Sequence, residues 1–260
     1  MHVKTQGLVL RETNYKEADK ILTVLTREGG KRTVKARGCR RKNSPLAPSA
    51  QLLVWSDMTL FDYRDRLTLN EAEPLEMFWG VRRDVEKLAL CAYFAEVTET
   101  VAEEGRPDQA LLSLILNSMY ALDKLDKPLA LVKAAFELKL LCVAGYEPLL
   151  DACAVCGREE PEGPRLDLGE GVLRCAACST GEGASRPLDR TSLEAMRHVV
   201  YGDPKRLFSF PMDGPGMERM AAACEDFLLV QLDRGFRTLD FYKGLWIPPQ
   251  YMVDRKGDAQ

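Results

Sequence analysis

The chain has 260 residues, 46% of them hydrophobic and 29% charged, with a formal net charge of −3. That length holds one large domain or two to three small ones, and that composition is ordinary for a globular protein. No run approaches the roughly 20 apolar residues of a membrane span, and Met1-His2-Val3-Lys4 opens a polar segment instead of a secretory signal core, so a cytoplasmic protein without a membrane partner is expected. Charge is unevenly placed: residues 1–73 carry 14 Lys and Arg against 9 Asp and Glu, a net of +5, which leaves 22 against 30, a net of −8, for the remainder. A basic N-terminal unit on an acidic remainder suits a nucleic-acid-binding module, although a solvated surface without a partner gives the same numbers.

The apolar runs at 7–10 and 21–25 are short and rich in β-branched residues, with a polar stretch at 11–20 between them. Segments 31–36, 51–55, 58–61 and 66–70 continue the pattern, separated by Gly, Asn and Asp. Short strands at this spacing predict a small barrel or sandwich. Roughly 70 residues and about five strands suit an oligonucleotide/oligosaccharide-binding (OB) barrel, among other small barrels. Asn43-Ser-Pro-Leu-Ala-Pro48 reads as a loop, so a flexible tip is expected there.

After Glu73-Pro74 the periodicity becomes helical, over 75–90, 91–104 and 109–122, with Pro107 and Asp108 opening the last of these. Asp126-Lys-Pro128 predicts the next helix start, with Asp126 near the N-cap and Pro128 in the first turn. That helix places Leu131, Ala134, Ala135, Leu138, Leu141 and Cys142 on one face and ends at Gly145. Residues 151–187 are rich in Gly, Pro and Cys, with too little apolar content for a core, so the segment needs a staple. Helical patterns return over 188–201 and 217–232, the second with Met217, Met220, Ala221, Cys224, Phe227, Leu228 and Leu232 on a broad core-facing stripe. Residues 254–260 read as a disordered tail.

Two features carry chemistry. Seven of the twelve residues from Lys31 to Lys42 are basic, namely Lys31, Arg32, Lys35, Arg37, Arg40, Arg41 and Lys42, and no acid interrupts them. Such cations neutralise phosphates and release counterions, so binding should be largely independent of sequence. Tyr15, Trp55, Phe61 and Tyr63 are candidates to stack on unpaired bases, although Trp55 and Phe61 read better as strand core. The second feature is Cys153-Ala-Val-Cys156 followed, eighteen residues on, by Cys175-Ala-Ala-Cys178. Two C-x₂-C turns bring four thiolates round one ion, and the separation matches zinc sites. Four thiolates leave no position for water, so one Zn²⁺ per chain would be structural. A redox dithiol, or a site that has lost its metal, has the same cysteines; neither pair has the βαβ setting of a redox motif. Cys91, Cys142 and Cys224 read as small core hydrophobes.

Little argues for catalysis, and no enzyme is expected. The only histidines are His2 and His198, so a base deaminase's H-x-E partner is missing. Glu28-Gly-Gly-Lys31 has the tail of a phosphate loop, but Arg32 stands at the hydroxyl position and the first Gly is absent.

In this order, basic β-module, helical body and Cys₄ insertion, the chain resembles the RecO family of bacterial recombination-mediator and DNA repair proteins. The matching stretches are Gly7-Leu-Val-Leu-Arg11, Glu17-Ala-Asp-Lys-Ile-Leu-Thr-Val-Leu-Thr26, Gly30-Lys31, Lys35-Ala-Arg-Gly38 and Arg40-Arg41. Phe136-Glu-Leu-Lys-Leu-Leu, Gly145-Tyr146, Leu150-Asp151 and Cys153-Ala-Val-Cys-Gly157 continue the likeness. It spans nearly the whole chain and weakens after Leu188. Some family members lack the cysteines; this chain keeps all four.

The resemblance implies a multidomain α+β protein. Its parts would be an N-terminal OB-fold barrel (1–74), a mainly α-helical body (75–150, completed by 188–250), a Cys₄ zinc-binding insertion (151–187) and a flexible tail (251–260). It implies binding to single- and double-stranded DNA, annealing of complementary strands, and cooperation with RecR in loading RecA onto DNA coated by single-stranded DNA-binding protein, without nucleotide hydrolysis. A nucleoid-associated location in the bacterial cytoplasm follows. In the family, the acidic, apolar-ended tail of the single-stranded DNA-binding protein docks in the helical domain. Arg82, Arg83, Lys87, Lys133 and Lys139 are candidate rim cations for that pocket, or else solvated helix charges. A zinc-stapled RNA-binding or protein-bridging module is the alternative from a different class.

Overall fold

Alternation of apolar and polar residues sets the N-terminal strands: β1 (His2–Tyr15), β2 (Asp19–Thr26), β3 (Gly30–Ala36), β4 (Trp55–Tyr63) and β5 (Arg66–Glu76). The structure, a computed structural model, describes residues 1–64, 66–125, 127–179 and 183–245. The strands close into a barrel in the order β1-β2-β3-β5-β4, antiparallel except where β3 meets β5. This is an OB-like barrel. Val9, Leu22, Val24, Val34, Met58, Leu60, Leu67 and Leu69 fill it, one side of each strand, as the two-residue period of a strand requires.

Three details depart from expectation, each for a local reason. The polar stretch 11–20 is mostly strand, because β1 and β2 continue past the barrel as a two-stranded ribbon, paired to Tyr15↔Asp19, with Arg11 to Tyr15 exposed. A ribbon wetted on both faces carries no alternation. Segment 51–55 is not a strand: only Trp55 joins β4, and Leu53 has φ 64°. It repairs the irregularity in β1 between Val9 and Arg11, since the Leu53 amide donates to Val9 O at 2.8 Å and the Val9 amide to Val54 O at 3.2 Å. The segment from Asn43 to Pro48, expected as a flexible tip, belongs to a train of turns that puts Cys39, Leu46 and Ala50 into the barrel core, so it plugs one end.

The helical body holds α1 (Trp79–Arg82), α2 (Val85–Val101), α3 (Gln109–Lys124), α4 (Leu129–Val143), α5 (Arg190–Tyr201), α6 (Gly214–Gln231) and α7 (Arg237–Gly244). The helix expected over 75–90 is interrupted: β5 runs to Glu76, and Asp84 caps α2 by accepting from the amides of Glu86 and Lys87 at 2.9 and 3.1 Å. No break falls between residues 90 and 91. Asp108 caps α3 by accepting from Leu111 N at 2.8 Å. Pro128 stands at the N-cap of α4 itself, not in its first turn, and Asp126 lies outside the described residues.

α4 is buried on nearly every side from Leu131 to Leu141, so the single face expected for it understates the burial; it is the central helix. It ends where Gly145, at φ 91°, lets the amides of Gly145 and Tyr146 return to Cys142 O and Leu141 O. α7 was not foreseen from the sequence.

Between α4 and α5 lie β6 (Arg165–Asp167), β7 (Val172–Arg174) and β8 (Ser185–Pro187), a small sheet in the order β7-β6-β8. Leu166, Leu168 and Leu173 are buried in the main core, so this segment has an apolar anchor besides its cysteines, contrary to expectation. The same core includes Leu8, Leu10, Leu25 and Trp55 from the outer side of the barrel. Barrel and helices therefore share one apolar cluster. Residues 251–260, expected to form a tail, fall outside the described residues.

Candidate nucleic-acid interface and metal centre

The basic run does not stay together on one surface. On β3, Val34 and Ala36 face the barrel core, and Lys31, Thr33 and Lys35 share the outer face. Lys31 is half-buried against the helical body, and its Nζ donates to Glu99 O on α2 at 2.8 Å. Arg32 pairs across from Val24, on the core side of the strand, and its guanidinium reaches toward Gly105. Lys35 is ion-paired with Asp19 at 3.1 Å. The Gly38 amide and Lys35 together hold the Asp19 carboxyl below its ordinary range. The run is free of acids in sequence, but the β1–β2 ribbon supplies one in space.

Beyond β3 the picture differs. Arg37, Arg40, Arg41 and Lys42 are all exposed, and none makes an ion pair with a carboxylate among the described residues. The Arg40 amide donates to Ala18 O at 3.0 Å and its Nη1 to Lys16 O at 3.4 Å, so the turns after β3 lie against the β1–β2 hairpin. That contact adds Lys16, and it presents Tyr15, with Lys16 Nζ at 5.6 Å and Lys35 Nζ at 4.8 Å from the ring centroid. Lys16 was missed because a single lysine in a polar stretch carries no signal; only the hairpin pairing places it with the arginines. Glu17 is also exposed here and offsets one charge.

Of the other aromatic candidates, Tyr63 is exposed, with Arg64 over its ring at 5.3 Å. Phe61, expected in the core, is exposed and packs on His2 with ring centroids 5.2 Å apart. Its side chain points outward because Met58 and Leu60 already fill the inner side of β4. Trp55 is buried between barrel and helices.

The five candidate rim cations separate. Lys133 is not at a surface at all: it is 5% exposed and contacts Glu137 at 2.7 Å and Glu225 at 2.8 Å. The sequence hides this, since Glu225 is on α6. Arg82 binds barrel to helices, donating to Met77 O at 2.7 Å and to Leu52 O at 2.6 Å. Lys139 Nζ donates to Val200 O at 3.0 Å, close to the end of α5. Arg83 is exposed and Lys87 half-exposed.

The four cysteines do converge. Sγ atoms of Cys153, Cys156, Cys175 and Cys178 all lie within 4.8 Å of one another, with Cys156 and Cys175 3.9 Å apart. Four sulfurs about 2.3 Å from a tetrahedral zinc stand roughly 3.8 Å apart, so the donor set fits such an ion. The backbone helps: burial raises the Cys153 thiol, but amide groups of Cys156, Cys175 and Val155 outweigh it and bring the thiol down to about 6. Gly157, at φ 72°, closes the first C-x₂-C turn, its amide donating to Cys153 O at 2.8 Å. The cluster can hold a metal ion with no open coordination position.

An OB-like barrel with free cations gathered at one end, joined to a helical body with a Cys₄ cluster, has the form of a nucleic-acid-binding protein. Residues 1–78 match the family model described as recombination protein O N terminal, and residues 82–240 match recombination protein O C terminal. DNA repair protein RecO of Acetivibrio thermocellus is 31% identical over 245 residues, covering 94% of this chain and 97% of that one. RecO of Alkaliphilus metalliredigens is 31% identical over 244 residues (94% and 99% covered), and that of Symbiobacterium thermophilum 33% over 239 residues (90% and 94%). The chain belongs to the RecO family of DNA repair proteins. No described helix is long and apolar enough to cross a membrane.

Proposed function

We propose that this DNA repair protein binds single- and double-stranded DNA through the plugged end of its barrel and anneals complementary strands without chemical catalysis. In this reading it acts with RecR to help load RecA onto DNA coated by single-stranded DNA-binding protein, at the bacterial nucleoid. The observation that carries it is the set Arg37, Arg40, Arg41 and Lys42, exposed and without a carboxylate partner among the described residues, beside Lys16 and Tyr15. Cations without a carboxylate partner keep most of their affinity for phosphate, and an exposed tyrosine offers a face to an unpaired base. Lys35, Arg32 and Lys31 contribute less, because protein groups already engage or enclose them. Annealing needs the repulsion of two anionic strands screened without either being trapped, which a cluster of surface cations supplies.

The units in this reading are the barrel (1–76, two residues past the expected boundary, since β5 runs to Glu76), the helical body (77–150 with the helices after 188) and the Cys₄ element (151–187), the last holding one structural Zn²⁺. Arg83 and Lys87 are the cations left free to meet the acidic tail of the single-stranded DNA-binding protein, with Arg82 and Lys139 at its edge.

The test replaces Arg37, Arg40 and Arg41 with alanine and titrates oligonucleotides of unrelated sequence. Affinity should fall alike for all of them, and the slope of log K against log salt should shrink by about 2, from roughly 0.7 per single-strand phosphate contact. Annealing of bare and protein-coated strands should slow in parallel. Unchanged affinity and slope would remove the barrel end from the mechanism.

A further inference from the structure

A cleft of about 570 Å³ separates the outer face of the barrel from the helices. Its barrel wall is Leu10, Arg11, Glu12 and Lys31; its helical wall includes Glu96 and Glu99 of α2 and Arg234, Arg237 and Thr238 at the α6–α7 junction. The three acids are all engaged. Glu99 pairs with Arg11 at 2.8 Å, Glu12 pairs with Lys20 at 2.7 Å, and Glu96 accepts from the Thr238 amide at 3.1 Å and from the Thr238 hydroxyl. Arg234 and Arg237 are exposed and make no ion pair among the described residues. Arg234 is held in place over the Phe236 ring, 4.9 Å from its centroid. Lys31 spends one N–H on Glu99 O and keeps two. Glu99 and Glu12 are neutralised by their ion pairs, and Glu96, bonded only to neutral groups, is outnumbered by Lys31, Arg234 and Arg237, so the opening of the cleft is net positive, with the Arg234 guanidinium preplaced.

Position gives the ligand. Lys31 lies on the same outer face of β3 as Lys35, four residues or roughly 13 Å along the strand, and Lys35 adjoins Tyr15 at the cationic end. A polyanion gripped at that end and lying along β3 arrives at the mouth of the cleft. An extended, repeating anion matches cations placed in sequence like this, and a compact anion does not.

We infer that the cleft is a second station for the same DNA strand, where Arg234 and Arg237 of the helical body take phosphates further along a strand first held at the barrel end. The inference rests on the reading of DNA binding given above and extends it from the barrel to the helices. A single strand would then bridge both parts of the molecule, and its preference for long over short oligonucleotides would come from the α6–α7 junction.

The test compares single strands of about 6 and about 20 nucleotides, within and beyond the reach of one barrel, against Arg234→Ala/Arg237→Ala and Arg234→Lys/Arg237→Lys. The alanine pair should weaken the 20-mer and shrink its salt slope by about 1.4, at roughly 0.7 per contact, while the 6-mer binds as before. The lysine pair should restore most of the slope, which separates charge from damage to the fold. Binding of the 20-mer by the alanine variant with the parent's affinity and salt slope would overturn the inference, as would equal losses for both lengths or loss of binding only to a polyglutamate probe. A parent protein that bound neither oligonucleotide would instead overturn the DNA-binding reading itself.

Discussion

Lys133 shows how one side chain changes meaning between sequence and structure. Its ammonium sits between Glu137, which is fully buried, and Glu225, while the Tyr93 hydroxyl donates to Glu137 at 2.8 Å and Lys243 contacts Glu225 at 2.6 Å. Four helices, α2, α4, α6 and α7, are joined through this network. Burial pushes the Glu137 carboxyl up against the pull of Lys133 and the Tyr93 hydroxyl. Lys133→Ala would leave Glu137 buried without its cation, at a cost of about 3–5 kcal/mol, readable as a fall in the urea midpoint at unchanged m. Lys133→Met with Glu137→Gln should recover part of that loss, because the Gln oxygen still accepts from the Tyr93 hydroxyl and Lys243 still pairs with Glu225; no recovery would show that the pair itself supplies the stability. The sequence could not disclose this, because an isolated Lys-x-x-x-Glu looks the same on a wet helix face. The cysteine quartet was legible for the opposite reason: ligand spacing within a tight turn is a local property. Lys35 lies between these cases, since its position was legible and its partner Asp19, on the neighbouring strand, was not.

At the scale of elements, ends and anchors decide more than periodicity does. α5 begins with a reciprocal box: Asp189 accepts from Ser192 N at 2.8 Å, and the Asp189 amide donates to Ser192 Oγ at 2.8 Å. Burial raises the Asp189 carboxyl, but Ser192 and Arg219 outweigh it and hold it below the ordinary range. A carboxylate with a lowered native pKa adds stability that is present above its unfolded pKa of about 4 and is lost as pH falls through the native value. Asp189→Ala should therefore cost about 1 kcal/mol at pH 7, and the gap between parent and variant should close on acidification. A gap unchanged down to pH 3 would mean that the cap works without its charge.

In the Cys₄ element, two anchors hold different parts. Chelation should loosen the turns at Cys153 and Cys178, as measured by hydrogen exchange, while the amides of Leu166 and Leu173 stay protected by burial in the main core. Uniform loosening of the element would make the metal its only anchor. Here too the legible part was periodic or spaced: the barrel strands, α3 and the α6 stripe. What escaped was the capped break at Asp84, the wet ribbon of β1 and β2, and leucines whose partners lie in other elements.

The whole molecule depends on how the barrel is joined to the helices, and at one point the join is made by two backbone hydrogen bonds and one from a side chain. The Lys31 amide donates to Glu103 O at 3.2 Å, the Gly105 amide donates to Lys31 O at 3.2 Å, and Gln109 Nε2 donates to Arg27 O at 2.6 Å. The β2–β3 turn is thus laced to the α2–α3 connection. Gly30 permits this approach: it has φ 63°, and a Cβ there would stand 2.0 Å from the Arg106 carbonyl oxygen. No side chain fits unless the two segments part, and the left-handed backbone penalises an L-residue as well.

Together with the shared apolar cluster of Leu8, Leu10, Leu25 and Trp55, the lacing should make barrel and helices unfold as one cooperative unit. In urea, far-UV circular dichroism and tryptophan fluorescence should report the same transition for the parent protein. Gly30→Ala should lower the midpoint by the equivalent of at least about 1–3 kcal/mol and pull the two transitions apart as the barrel gains independence. It should also weaken binding of long oligonucleotides more than short ones, because the cleft wall at Lys31 moves with the turn. Coincident transitions at an unchanged midpoint would show that the apolar cluster alone couples the two parts and that the close approach at Gly30 contributes nothing to their coupling.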